Sequence, residues 1–334
     1  PIPGVAGSGE HTHLGVAGVL PSGRRINLFA PADMRSDFLS VIGYGALMGL
    51  VRNYEVVNPF ISSSNDAFNR LKPGYEAPVC IVTALGADPA TPSRNRTVLA
   101  GLVRDVDNPR ATRFELRSPN PYTNTYIAVS ACIMAMLDGI RWTLESGMAP
   151  ADLLAEISKE PGTPGRYLEQ ARAYRSEENV FEHYTKDERD RLFGVPPATV
   201  WENMHMLDLL PDRLPVLGAG DTLTPRVVQA FRAAALARWK HELLVRIVPD
   251  DLETVRSCTR RDLDSRRAQD LWTDIDALCH DLAEDTAERP SVCRQLIAAL
   301  EGDQLEEASR LQLVLAGRME RLRQLEDEYQ KLVF

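Results

Sequence analysis

The chain has 334 residues, 44% of them hydrophobic and 25% charged, which supports one large core or two smaller ones and excludes disorder over most of its length. A formal net charge of −9 argues against nucleic acid or an anionic membrane surface as partner, since such surfaces need a basic excess, although a local arginine cluster can still hold a nucleotide. The five cysteines, Cys80, Cys132, Cys258, Cys279 and Cys293, include no close pair, so a disulfide framework and a zinc-ribbon spacing are excluded and a reducing cytoplasm fits best.

The chain opens at Pro1 inside a run of glycines and histidines, without an initiator methionine, a charged leader or an apolar run of bilayer length. The expectation is that an N-terminal portion is missing and that nothing targets a membrane. In Gly7-Ser8-Gly9-Glu10-His11-Thr12-His13 the two histidines stand at i and i+2, on one face of a strand. Two imidazoles so placed suit a metal or a metal-bound phosphate, or are simply satisfied or exposed histidines. No Gly-Lys-Ser/Thr follows, so this is not a Walker loop.

Residues 38–51 have the length and spacing of a buried helix. The segment Asp66 to Pro78 sets Glu76 on a loop constrained by Pro73, Gly74 and Pro78. A turn with an exposed acid is one reading; the other is a glutamate placed to take a proton, with Arg70 offering a planar fork to a carboxylate. Residues 78–85 and 97–103 are short and β-branched, as strands are. Arg94-Asn95-Arg96 and Arg113-Phe114-Glu115-Leu116-Arg117 bring four arginines and one glutamate together. In a strand Arg113, Glu115 and Arg117 share a face, which describes either a cross-strand ion-pair ladder or the charge pattern that phosphoryl transfer requires. The acidic background and the abrupt turn Ser118-Pro119-Asn120-Pro121 favour the second.

Residues 126–142 read as another buried helix, so the first part is an α+β layer. From about Glu145 to Gly220 repeated prolines and glycines interrupt short helices. Thr224-Pro225 then caps a helix whose apolar positions run from Val228 through Trp239 to Ile247 and which Pro249 ends. A second amphipathic helix follows at residues 271–282 and a third at 311–332, packing as a bundle or hairpin with stripes facing the protein's own core.

The ordered motifs GSGEHTH, NRLKPGYEAP, RNR, RFELRSPNP and LDGI resemble the second half of the glutamine synthetase catalytic domain over about the first 140 residues. The helical remainder resembles that of the larger bacterial members. The resemblance implies an α+β fold with a curved antiparallel sheet and packed helices over residues 1–145, and a mostly α-helical region over 146–334. It implies ligation of ammonia to glutamate through γ-glutamyl phosphate, with ATP as a substrate, Mg2+ or Mn2+, and a cytoplasmic homo-oligomeric ring. By motif, His11 and Glu115 would be metal ligands, and His13, Arg96 and Arg113 would contact ATP. Gly7, Arg70 and Arg117 would hold glutamate, and Glu76, Arg96 and Arg117 would be catalytic, Glu76 as the flap acid that takes a proton from ammonium.

Three departures stand beside these matches. Ala6 replaces a common asparagine, Gly101 falls near a usual phosphate-binding arginine for which Arg104 is the candidate substitute, and no Asn-Leu-Tyr-Asp loop follows Gly139. The family's other metal glutamates, its ammonia-site aspartate and its N-terminal domain have no counterpart in this chain, which is therefore expected to be inactive alone. The alternatives are a ligase that joins glutamate to another amine, and a non-catalytic assembly or regulatory module; intact His11, Arg70, Glu76 and Glu115 argue against the latter.

Overall fold

The computed structural model describes residues 9–70, 80–261 and 265–332. The chain divides into two compact units, one of Pro1–Pro197 with Asn203–Arg232 and one of Ala198–Glu202 with Ala233–Phe334. This division does not coincide with the boundary expected after residue 145. Leu153, Ile157, Tyr167, Leu168 and Tyr174 are buried in the same apolar cluster as Leu47, Leu50 and Phe114, and that burial holds their segment to the first unit.

In the first unit β1 (Thr12–Leu14), β2 (Ala17–Val19) and β3 (Arg25–Asn27) precede three helices, α1 (Val41–Arg52), α2 (Tyr54–Ile61) and α3 (Asn65–Arg70). Then come β4 (Thr83–Ala84), β5 (Gly86–Asp88), β6 (Thr91–Pro92), β7 (Ala100–Val103), β8 (Arg113–Leu116) and the 22-residue helix α4 (Thr125–Ser146). The central sheet has the order β1-β8-β7-β4. Its first three strands are antiparallel, as expected; β4 runs parallel to β7, so the sheet is mixed. β4 is shorter than the apolar run at 78–85 predicts. Cys80, Val82 and Ala84 are buried in one cluster and Ile81 and Leu85 in another, so residues 80–85 are buried on both sides, while among the described residues of the run only Thr83 and Ala84 pair regularly with β7.

Period-two alternation governs β8: Phe114 and Leu116 are fully buried, and Arg113 and Glu115 stand on the other face. Phe114 stacks on Phe29 at 4.7 Å between ring centroids. Behind the sheet, Ser40 caps α1 by accepting from the Gly43 N–H at 3.0 Å. Asn124 caps α4 in the same way and Gly147, at φ 63°, ends it. α1 and α4 meet backbone to backbone: a Cβ built on Gly49 would lie 2.2 Å from the Ala135 carbonyl oxygen, and one on Gly139 would lie 2.0 Å from that of Gly45. Contrary to the sequence expectation, α4 is long and apolar enough by composition to cross a bilayer; here Ala131, Ala135 and Gly139 are buried within the fold.

The Leu137-Asp138-Gly139-Ile140 motif is thus a packing element. Gly139 makes the helix seam, and Asp138 accepts from Asn53 Nδ2 at 3.0 Å and the Tyr167 hydroxyl at 2.6 Å. Beyond α4 come α5 (Pro150–Ile157), α6 (Val180–His183) and α7 (Lys186–Phe193), then α8 (Val200–Leu209) and α9 (Leu214–Gly218). The prolines interrupt this region as expected. Buried Glu156 organises the loop after α5, accepting from the backbone N–H groups of Arg166, Tyr167 and Leu168 at 2.8–3.0 Å.

The second unit is helical. α10 (Pro225–Glu242), which reaches it from residue 233 onward, passes through a π-turn at Leu243–Ile247 into α11 (Val248–Ser257); α12 (Arg266–Ala283), α13 (Val292–Glu301) and α14 (Leu305–Gln330) follow. Pro249 does not end the helical run. It sits in the first turn of α11, directly after the wider π-turn, which accommodates a ring and a missing N–H that a regular α-helix would not. Trp239, Leu243, Ile275, Leu296, Leu315 and Leu322 form this unit's buried stripe residues.

Candidate active site

The open face of the sheet is built by register. His13 lies opposite Glu115 and Glu115 opposite Gly101, so one row crosses three strands. The row is held at its ends: the Glu10 N–H donates to the Pro119 carbonyl at 2.9 Å, and the Thr123 hydroxyl donates to the Ile61 carbonyl at 2.8 Å, tying the turn after β8 to the end of α2. Glu115 is half-buried and central. Its Oε1 lies 2.8 Å from His11 Nδ1 and accepts from Arg117 Nη1 at 2.9 Å. Arg117 is buried, and its Nε donates to the Arg96 carbonyl at 3.0 Å, which joins β8 to the RNR loop.

The loop's shape is fixed by Asn95. Its Oδ1 accepts from the Thr97 N–H and hydroxyl at 2.9 and 2.7 Å, and its Nδ2 donates to the Glu178 carbonyl at 2.6 Å. Arg94 and Arg96 then line a cavity of about 380 Å³ together with Gly101, Val103, Glu115 and Arg117. Three arginines and one glutamate line that space, an excess of positive charge that suits an anion.

Arg113 does not share the Glu115 carboxylate, as the strand pattern suggested. It turns to His13, donating from Nε to Nδ1 at 3.0 Å, so the histidine's accepting nitrogen faces the arginine and its proton belongs on Nε2. Arg113 also lines a second cavity, of about 650 Å³, with Arg24, Arg25 and Arg110. Sequence reading missed these three arginines. Arg24 and Arg25 follow a turn through Gly23 at φ 79°, and Asn27 Nδ2 donates to the carbonyl of Thr112 at 2.6 Å, bringing the hairpin to the segment before β8. The doublet in a glycine turn was the available signal.

Arg104 does not replace the arginine expected near Gly101. Gly101 and Val103 face the cavity, and by strand alternation residue 104 turns the other way. Arg104 is buried there, donating to the carbonyls of Asp37 and Phe38 at 2.7 Å and to that of Met34. Of the other expected residues, Gly7 and Glu76 lie outside the described residues, and Arg70 is the last residue of α3. Among the described residues no group of three or more His, Cys, Asp and Glu side chains is placed to hold a cation. His11 and Glu115 offer one imidazole and one carboxylate, which fits part of an octahedral Mg2+ or Mn2+ shell completed by water, phosphate or further carboxylates.

A mixed sheet presents His13 and Glu115 beside two arginine-lined cavities, a charge pattern suited to phosphate or carboxylate anions. The sequence profile of the glutamine synthetase catalytic domain matches residues 1–177, more than half of the chain, and the chain belongs to that family. The glutamine synthetase of Bradyrhizobium diazoefficiens is 32% identical over 163 residues, covering 48% of this chain and 31% of that protein. That of Escherichia coli K12 is 33% identical over 178 residues, covering 51% and 34%, and that of Rhizobium meliloti is 36% identical over 152 residues, covering 45% and 28%. The chain therefore spans about a third of the length of these curated relatives. Among solved structures, a Plasmodium falciparum glutamine synthetase determined by cryo-electron microscopy aligns with a TM-score of 0.48 at 17% identity, over 70% of this chain and 44% of that one.

Proposed function

We propose that this chain supplies the phosphate- and metal-facing part of a site that ligates ammonia to glutamate at the expense of ATP. The observation that carries the reading is Glu115, held between His11 and Arg117 on the floor of an arginine-lined cavity. Transfer of the terminal phosphoryl group of ATP to the side-chain carboxylate of glutamate gives γ-glutamyl phosphate; ammonia then attacks the acyl carbon and inorganic phosphate leaves. Charge spreads over the phosphoryl oxygens in both steps, and fixed guanidinium groups neutralise it without reorganising.

In this reading Arg96 and Arg117 grip the transferred phosphoryl group, while His13 and Arg113, with the neighbouring Arg24, Arg25 and Arg110, hold the rest of the triphosphate. His11 and Glu115 hold a divalent cation, Mg2+ or Mn2+, which when bound neutralises phosphate charge. Glu115 in turn is oriented by Arg117. Gly7 and Arg70 belong to the glutamate side, with Arg117 between the two. Glu76 takes the proton from ammonium. The catalytic part, expected over residues 1–145, extends with the family profile to residue 177, and the helical remainder completes a cytoplasmic homo-oligomer.

Titration of the chain with Mn2+ and ATP, followed by calorimetry, tests the anion and metal roles. Glu115→Gln is expected to weaken Mn2+ binding by at least tenfold and Arg96→Ala to weaken ATP binding by a similar factor; unchanged affinity in both variants refutes the assignment. In the longest natural form of the protein, glutamate- and ammonia-dependent release of phosphate from ATP is expected to disappear in Glu76→Ala and Arg70→Ala. Turnover with another amine in place of ammonia would make it a related ligase, and silence with every acceptor would favour an assembly module.

A further inference from the structure

Cys258 and Cys279 look unrelated in the sequence, and the fold of the second unit brings their thiols together. Cys258 ends α11 in an extended conformation, at φ −60° and ψ 121°, and its Sγ lies 3.6 Å from the Thr254 carbonyl oxygen. Cys279 belongs to α12. Its Sγ lies 3.7 Å from the carbonyl oxygen of the next residue of α11, Val255, which also accepts the Cys258 N–H at 3.4 Å. The two sulfurs thus rest on adjacent carbonyls of one helical turn, within hydrogen-bond reach of each other. Both side chains are half-buried, whereas Cys80, Cys132 and Cys293 are buried. The proposed ligase chemistry uses neither thiol.

We infer that Cys258 and Cys279 form a dithiol site that a hydroperoxide closes to a disulfide, stapling α11 to α12. The Cys279 thiolate attacks a peroxide oxygen and the O–O bond breaks, which leaves a sulfenic acid on Cys279 and hydroxide, protonated to water. Cys258 then loses its proton and attacks the sulfenic sulfur; the S–S bond forms and the hydroxyl leaves as water. The two thiols together lose two electrons, and hydrogen peroxide is reduced to two waters. The order of attack follows from the surroundings. Burial holds both thiols above their ordinary range, and the Glu326 carboxylate beside Cys258 holds that one up further. The hydrogen bond between the thiols favours ionisation of Cys279 and opposes it at Cys258. A thiol kept mostly protonated is a slow nucleophile, so closure takes minutes to hours, and what marks the pair is that its members react together. The sulfurs must approach to about 2.05 Å, and Cys258, extended beyond the end of its helix, supplies that movement by rotating its side chain.

The test treats the reduced, native chain with a modest excess of hydrogen peroxide, counts the remaining thiols in urea, and maps the peptides by mass spectrometry without reduction. The count is expected to fall from five to three, with a peptide containing Cys258 joined to one containing Cys279, and dithiothreitol is expected to restore all five. Cys258→Ser and Cys279→Ser, each checked for folding by circular dichroism, are expected to abolish the cross-link, and Cys293→Ser to leave it in place. Where a serine variant does not fold, phenylarsine oxide, which bridges neighbouring thiols, serves on the wild type: bound before the peroxide, it is expected to prevent the cross-link. A treated wild type that keeps all five thiols overturns the inference. So does a link through any other cysteine, or a disulfide that joins two chains.

Discussion

Replacing Gly139 by alanine tests the seam between α1 and α4 on which the sheet rests. The new Cβ would sit 2.0 Å from the Gly45 carbonyl oxygen and 2.6 Å from the Gly49 nitrogen. Both are backbone atoms, so no rotamer change relieves the clash, and an ordinary contact at 3.4 Å requires the two helices to part by more than an ångström. Overpacking costs about 1–3 kcal/mol, and a clash with fixed backbone falls in the upper part of that range, about 2–3 kcal/mol; alanine returns about 1 kcal/mol of helix propensity, leaving a net loss of about 1–2 kcal/mol. Gly317, exposed within α14 and with nothing within 4 Å of its Cβ, is the internal control. Gly317→Ala carries the propensity gain alone and should stabilise by up to about 1 kcal/mol. Urea unfolding followed by circular dichroism reads both: a midpoint lowered by roughly 0.5–1 M for Gly139→Ala, and unchanged or raised for Gly317→Ala. A Gly139→Ala midpoint at or above wild type would refute the claim that the helices touch through their backbones.

Glu156→Ala removes a buried acceptor from three backbone N–H groups and should cost roughly 2–4 kcal/mol, with faster hydrogen exchange at Arg166, Tyr167 and Leu168; unchanged exchange there would show that the carboxylate does not order the loop. Burial holds the carboxyl of Asp251 above its ordinary range despite nearby Arg323. A raised folded pKa stabilises the fold fully below the unfolded value and loses that contribution as pH rises through the folded one. Asp251→Asn should therefore raise the stability of the second unit at pH 7 by up to about 1 kcal/mol and leave it unchanged near pH 3, and the reverse order of pH effects would contradict the burial argument. Burial also pushes the thiols of Cys80 and Cys132 up to about 12 and that of Cys293 to about 11, and raises Cys258 and Cys279. Ellman's reagent at pH 8 should find no rapidly reacting thiol in the native chain and five in urea, and one fast native thiol would break that expectation.

The chemical face of the sheet was legible because strand periodicity is local. Glu115 and Arg117 share a face as their two-residue spacing predicts, and Phe114 and Leu116 alternate into the core. What periodicity cannot supply is the partner of each charge. Arg113 chooses His13 over Glu115 because the register of β1 against β8 brings that ring across, and register depends on residues about 100 positions away. The same holds for Arg24 and Arg25, which join Arg113 through a hairpin. Arg104 looked like a substitute for a missing arginine by distance along the chain, yet strand parity sends it to the opposite face. Pro249 was read as a terminator from its chemistry alone; a single π-turn upstream removes the conflict.

The close backbone contact of α1 and α4 at Gly45, Gly49 and Gly139 divides the molecule for anyone who would redesign it. Where two helices touch through bare backbone there is no flexible filler to absorb a change, so three positions admit one residue each. Their rigidity gives the sheet a fixed datum. Against that datum the cavity residues of β7, β8 and the RNR loop can be varied as a set, because a substitution at Gly101 or Arg94 alters the chamber's contents and leaves its foundation in place. A library built on those positions, with the seam left untouched, would sample ligands on an unchanged scaffold.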